Sequence, residues 1–188
     1  MGRHWSAPGG LLWRVVRRYS TWRFGKVLAP AAVMAHQPQV LRAYLSYERA
    51  ATRWRHLDAG IKHLGVMMAA TTVGCSWCMD FSWWTSEERG VPLEKAQAVP
   101  AWREASCFNE LERLVLEYAE AMSATPVSVD DAMTGHLLEH LSEAQLVELT
   151  AVVALENLRS RTNRAFGSVS QGFSEGCRIG PSGGSRTA

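Results

Sequence analysis

From residue 38 to about residue 166 the apolar residues of this chain recur every three to four positions, and no run of β-branched residues alternates one by one with polar ones. A strand needs a period of two, so this patterning confines the chain to helices. Pro38 suits the first turn of a helix whose apolar stripe runs through Val40, Leu41, Tyr44 and Leu45 as far as Trp54. Asp58 is placed to cap a second helix carrying Ile61, Leu64, Val66, Met67, Met68 and Val73, apolar nearly all round and therefore central. Gly74 interrupts it just before Cys75. A third helix is expected over about 75–89, stopped by Gly90 with Pro92 beyond, and a short one over 93–99, ended by Pro100. Leu111, Leu114, Val115, Tyr118 and Met122 mark a helix over about 107–123. Ser128 with Asp131, and Ser142 with Gln145, have the spacing of capping boxes that open two more, the last running over about 143–166 to Gly167.

The reading is an all-α fold of about six to eight helices. A domain of 188 residues buries roughly 70% of its unfolded surface and needs neither a disulfide framework nor a metal to hold its core. Three regions are expected: a basic N-terminal arm (1–26), a helical domain (27–167), and a flexible C-terminal tail (168–188) in which Gly, Ser and Arg dominate. Residues 58–69 and 143–154 echo one another at a constant offset of 85, as two helices of similar pattern also do by chance.

The net charge of +2 conceals a division. Residues 1–60 carry ten Lys/Arg against two Asp/Glu, hence +8, and the remainder ten against sixteen, hence −6. Segment 11–28 mixes basic residues with Trp13, Tyr19, Trp22 and Phe24. It reads as an amphipathic arm packed on its own protein or on a neighbouring subunit, with an anionic membrane surface as the alternative. No nucleic-acid motif accompanies it, and nucleic acid is not an expected partner. The longest apolar run, 64–73, falls short of the ~20 residues of a membrane span. Arg14, Arg17 and Arg18 interrupt any leader-like apolar stretch, so a cytoplasmic, reducing location is the expectation.

Four cysteines remain to be explained. Cys107 and Cys177 have no partner spacing and read as a small apolar filler and a tail thiol. Cys75-Ser-Trp-Cys78 places two thiols at i and i+3 where a helix begins, a position whose free N–H groups favour thiolate, so the pair reads as redox-active. Two structural cysteines, or half of a zinc site completed by His136-Leu-Leu-Glu139-His140, are the alternatives. No cofactor or resident metal is expected. Trp77, Trp83 and Trp84 flank the motif as walls of an apolar pocket or as interface anchors.

Residues 61–82 (IKHLGVMMAATTVGCSWCMDFS), with the late helix 141–166 and the opening Ala35-His36-Gln37-Pro38, resemble the carboxymuconolactone decarboxylase and alkyl hydroperoxide reductase D-like superfamily over about 27–167. The resemblance implies an all-α fold assembling into trimers or hexamers. In the peroxidase branch it implies a CxxC in which Cys78 attacks a hydroperoxide, Cys75 resolves the product, and an external dithiol protein restores the pair. That branch carries a histidine four residues after the second cysteine and a glutamate twelve before the first, forming a proton relay. Here those positions hold Ser82, which cannot titrate near neutrality, and His63, which can. The relay is either rewired through His63 or broken, and Asp80 points to a different helical face. Asn157, Arg161 and Asn163 match a polar cluster of the family's late helix and read as capping and interface hydrogen bonds. The expected function is a thiol–disulfide oxidoreductase of alkylhydroperoxidase type. The alternatives are a non-catalytic oligomeric member with a degenerate site, or a zinc-binding protein. No lactone-binding set is identifiable.

Overall fold

The computed structural model describes residues 5–174. Cys177 and the rest of the expected tail, 175–188, lie outside the described residues. Among the described residues the fold is entirely helical: α1 (Gly10–Phe24), α2 (Ala29–Met34), α3 (Pro38–Ala51), α4 (Ala59–Val73), α5 (Ser76–Trp84), α6 (Leu93–Ala98), α7 (Glu110–Ser123), α8 (Asp131–His140) and α9 (Glu143–Ala165), with single 3₁₀ turns at Glu87–Arg89 and Val99–Ala101. The nine α-helices among the described residues exceed the expected six to eight, because the segment before Pro38 contributes two.

The hydrophobic effect places α4 at the centre, as its all-round apolar composition requires. It packs on α7 and α9, burying Leu64, Met67 and Met68 against Val115, Leu116, Leu149 and Val153. Gly65 permits the closest approach of α9: a Cβ there would lie 3.1 Å from Leu149 Cδ1 and 3.3 Å from Val153 Cγ2. Asp58 caps α4, accepting from the N–H groups of Gly60 and Ile61, and Ser142 with Gln145 forms the capping box of α9. Asn109 and Glu112 form a further box at α7. The cap of α8 is Asp130, whose carboxylate accepts from Met133 N–H at 2.8 Å; Ser128 instead donates its N–H to Ala121 O, closing the turn after α7. The expected 75–89 helix ends at Trp84, where the Thr85 hydroxyl competes for the carbonyls of Phe81 and Ser82.

The basic arm is a helix docked on the body. Leu12, Trp13, Val16, Ser20 and Phe24 of α1 face inward, and the buried Ser20 hydroxyl donates to Lys26 O while accepting from Leu28 N–H. Before it, Trp5 donates its indole N–H to Phe166 O, and the His36 ring meets Ser6 O. Leu11, Val15, Tyr19 and Trp22 face away from the body and are exposed. No described helix is long and apolar enough to cross a membrane.

Candidate redox site

α4 ends at Gly74, whose φ of +72° is the left-handed conformation that closes a helix and reverses the chain. A side chain there would be strained by that φ, and its Cβ, 2.7 Å from Arg164 Nη1, would also displace the guanidinium. The reversal delivers Cys75 to the N-cap of α5, where its sulfur accepts the N–H of Cys78 at 3.2 Å. One helical turn brings the two Cα atoms to 5.3 Å, and the sulfurs pair as a disulfide. Both cysteines are buried. From the far end of α9, the buried Asn163 side chain donates Nδ2–H to Cys78 Sγ at 3.3 Å. Each sulfur therefore has its own donor, a backbone N–H for Cys75 and an amide for Cys78, and each donor favours negative charge on the sulfur it meets.

The pair shares a buried cluster with Trp77 and Phe173, walled by Phe24 and Phe81. Trp77 stacks on Phe81 with ring centroids 5.1 Å apart, and Phe173 meets Phe81 edge-on and Trp84 at a tilt, both at 5.4 Å. Trp77 and Trp84 thus border the site, whereas Trp83 packs on the main core.

Phe173 belongs to the segment expected as the start of a flexible tail. Residues 168–174 are instead strapped across α5, and Asp80 is the clasp. Its carboxylate accepts the N–H groups of Gln171, Phe173 and Ser174 and the Ser174 hydroxyl, all within 2.8–3.1 Å. Burial alone would raise the Asp80 carboxyl, but the Ser174 and Phe173 N–H groups, with the Ser174 and Ser170 hydroxyls, overcome it and hold the group below the usual carboxylate range. Gln171 ties the strap to its surroundings, accepting from Trp77 Nε1–H at 2.7 Å and Ala29 N–H at 2.9 Å and donating to Val27 O.

His63 and Ser82 are brought together, though not as a side-chain relay. His63 Nε2 lies 2.8 Å from Ser82 O, and since a carbonyl only accepts, Nε2 carries the proton. Among the described residues neither His63 nor Ser82 hydrogen-bonds to either sulfur, and Asp80 is committed to the strap. Burial lowers the His63 pKa to about 4, against a carbonyl contact that opposes the shift, so the ring is neutral near pH 7. A histidine that must stay neutral when folded binds its proton only in the unfolded chain between pH 6.5 and about 4. Stability is therefore expected to fall as the pH drops through that window, with His63 supplying at most about 3 kcal/mol of the loss. Urea denaturation at the two limits, compared with His63→Gln, isolates that share; an unchanged pH slope in the variant contradicts the assignment.

The residues of the zinc alternative do not converge. His136, Glu139 and His140 are exposed on α8 while both cysteines are buried, and among the described residues no group of three or more His, Cys, Asp or Glu side chains is placed to hold a metal. Cys107 is a half-buried free thiol packed against the main core.

The sequence profile of the carboxymuconolactone decarboxylase family matches residues 38–121, and the uncharacterized protein YnjA of Escherichia coli (strain K12) is 36% identical over 157 residues, 83% of this chain and 85% of that protein. The chain belongs to the carboxymuconolactone decarboxylase family. Solved structures share the fold at lower identity. The debrominase Bmp8 superposes with a TM-score of 0.80 at 20% identity, covering 94% of this chain and 97% of that one. A crystal structure described as an alkylhydroperoxidase AhpD core, a peroxidase-related protein from Ralstonia eutropha JMP134, gives 0.73 at 20% identity, with 86% of each chain covered. At such identities the likeness is one of fold. Within the family's segment lie both cysteines, His63, Asp80 and Ser82; Asn163 and the strap lie beyond it.

Of the site, the sequence pointed to the CxxC at a helix entrance. It did not point to Asn163 as a sulfur ligand or to Asp80 as the clasp. The one signal that existed for Asn163 was its place in the family's polar cluster, where it read as a structural hydrogen-bonder.

Proposed function

We propose that this family member is a thiol–disulfide oxidoreductase that reduces hydroperoxides, with Cys78 as the attacking thiolate and Cys75 as the resolving thiol. The observation that carries the reading is the Cys75–Cys78 pair at the α5 N-terminus, with a hydrogen-bond donor on each sulfur. In the dithiol form the Cys78 thiolate attacks the outer peroxide oxygen; the O–O bond breaks, the alcohol leaves after taking a proton, and Cys78 becomes a sulfenic acid. Cys75, one turn away, attacks that sulfur, expelling water and forming the disulfide. An external dithiol then donates two electrons and two protons to restore the pair. As its thiol attacks one sulfur the other leaves as a thiolate, and at Cys75 that charge develops against the N–H at the helix start.

His63 and Ser82 act as positioning residues, holding the second turn of α5 to α4, and the anion at Cys78 is met by the Asn163 amide in place of a titrating relay. The cycle suits a reducing cytoplasm and a trimer or hexamer of the kind the family resemblance implies.

The test supplies the fully reduced protein with a stoichiometric organic hydroperoxide and counts free thiols, then follows turnover with dithiothreitol as donor. Two thiols lost per peroxide consumed, and catalytic turnover, are expected. A parallel arm offers 2,3,4-tribromopyrrole. Thiols that persist in the presence of peroxide overturn the reading, and bromide release in their place moves the chemistry to dehalogenation.

A further inference from the structure

Behind the turn that enters the CxxC, the ends of α4, α7 and α9 border an open surface cleft of about 410 Å³, lined by Thr72, Ser123, Thr125, Arg161 and Arg164 among others. The two arginines stand at i and i+3 on α9 and so share a face, where like charges repel. Among the described residues neither is paired with a carboxylate. Both are exposed, yet each is hydrogen-bonded to the chain. Arg161 Nη2 donates to Ser123 O at 3.0 Å and to the Thr125 hydroxyl at 3.1 Å; Arg164 Nη1 donates to Val73 O at 2.8 Å and to Gly74 O at 3.2 Å. Each guanidinium spends one terminal nitrogen on the chain, leaving the rest of its donor fork beside the cleft. Asn157 donates to Ser123 Oγ and fixes that hydroxyl as well.

We propose that this cleft binds a small oxyanion, the carboxylate or phosphate group of a ligand, held between Arg161 and Arg164. An anion relieves the repulsion between the two guanidiniums, and a planar fork already oriented by backbone carbonyls loses little freedom on accepting it. The cleft reaches the chain at Thr72–Val73, just before Cys75, and Arg164 grips the Gly74 carbonyl. The anion would therefore sit beside the redox turn. Anion binding in this cleft is independent of the chemistry assigned to the cysteines.

The test titrates the oxidised full-length protein by calorimetry with inorganic phosphate and, separately, with succinate, at constant ionic strength in chloride. Saturable binding of at least one is expected; phosphate alone identifies a phosphoryl ligand, succinate alone a carboxylate. Arg161→Gln and Arg164→Gln are each expected to weaken it about ten-fold or more, the size of one hydrogen bond to a charged group. Arg161→Lys keeps the charge without the fork and guards against a folding defect as the cause. No saturable binding of either anion, or binding unchanged in both glutamine variants, overturns the proposal and leaves the arginines as caps of the α4 and α7 C-termini.

Discussion

Cys78→Ser is expected to lower peroxide consumption with a dithiol donor by about a thousand-fold or more, because a serine hydroxyl cannot supply the anionic sulfur nucleophile the first step requires. Cys75→Ser is expected to behave differently. It retains the attacking thiolate, so with no thiol donor present one equivalent of peroxide is consumed in a single turnover, and the reaction stops at a sulfenic acid that a dimedone adduct reveals by mass. The contrast matters because both sulfurs have anion-stabilising contacts: Cys78 meets the Asn163 amide and Cys75 the N–H of Cys78. If Cys78→Ser keeps the single turnover and Cys75→Ser loses it, the two thiols exchange roles. If both variants keep full turnover, the disulfide cycle is wrong.

Arg159→Met is expected to cost about 3 kcal/mol of folding stability, the lower end of the range for breaking a buried ion pair from one side, because Glu156 is buried while Arg159 and Glu48 are partly exposed and screened by solvent. This corresponds to a fall in Tm on the order of 10 °C for a chain of this size. Arg159 on α9 holds Glu48 of α3 through two hydrogen bonds, at 2.7 and 2.6 Å, and reaches Glu156 at 3.1 Å. Burial pushes the Glu156 carboxyl up even with Arg159 beside it and Ser160 donating to it at 2.7 Å. Without the guanidinium it rises further. An acid whose pKa is raised on folding favours the folded state in its protonated form, an advantage complete below the unfolded value of 4.5 and lost as the pH rises through the folded one. The variant's deficit, measured by urea denaturation, is therefore expected to shrink as the pH is lowered, and Glu156→Gln added to Arg159→Met to recover most of it. A deficit that does not change with pH assigns the loss to packing instead.

What was legible in the sequence was local. Pro38 at the first turn of α3, Asp58 capping α4, the Ser142–Gln145 box and the CxxC at a helix start each depend on residues within a turn of one another. The Asn109–Glu112 box has the same character, but it lies inside the helix expected over about 107–123, whose true start is at Glu110. α1 was obscured for a different reason: three arginines interrupt its stripe, and its inward face includes Ser20, whose burial is justified only by a loop that folds under it. The contacts that complete the site were beyond reach. Asp80 meets backbone N–H groups 91 to 94 residues away, and any residue but proline supplies such a donor, so no side-chain signature marks them. Asn163 finds Cys78 across 85 residues only because α9 packs along α4.

The placement of the strap also bears on how such a protein diversifies. The family's matched segment, 38–121, holds the cysteine pair, the His63–Ser82 contact and the clasp carboxylate; Phe24, Asn163, Gln171 and Phe173, which surround the pair, are encoded on either side of it. Part of the enclosure is thus encoded outside the segment that holds the pair, while Trp77 and Phe81 come from within it, and the two parts are joined by the Asp80 carboxylate, which binds mainly backbone. Substitutions on the strap can therefore alter that part of the enclosure without altering the segment that carries the cysteine pair.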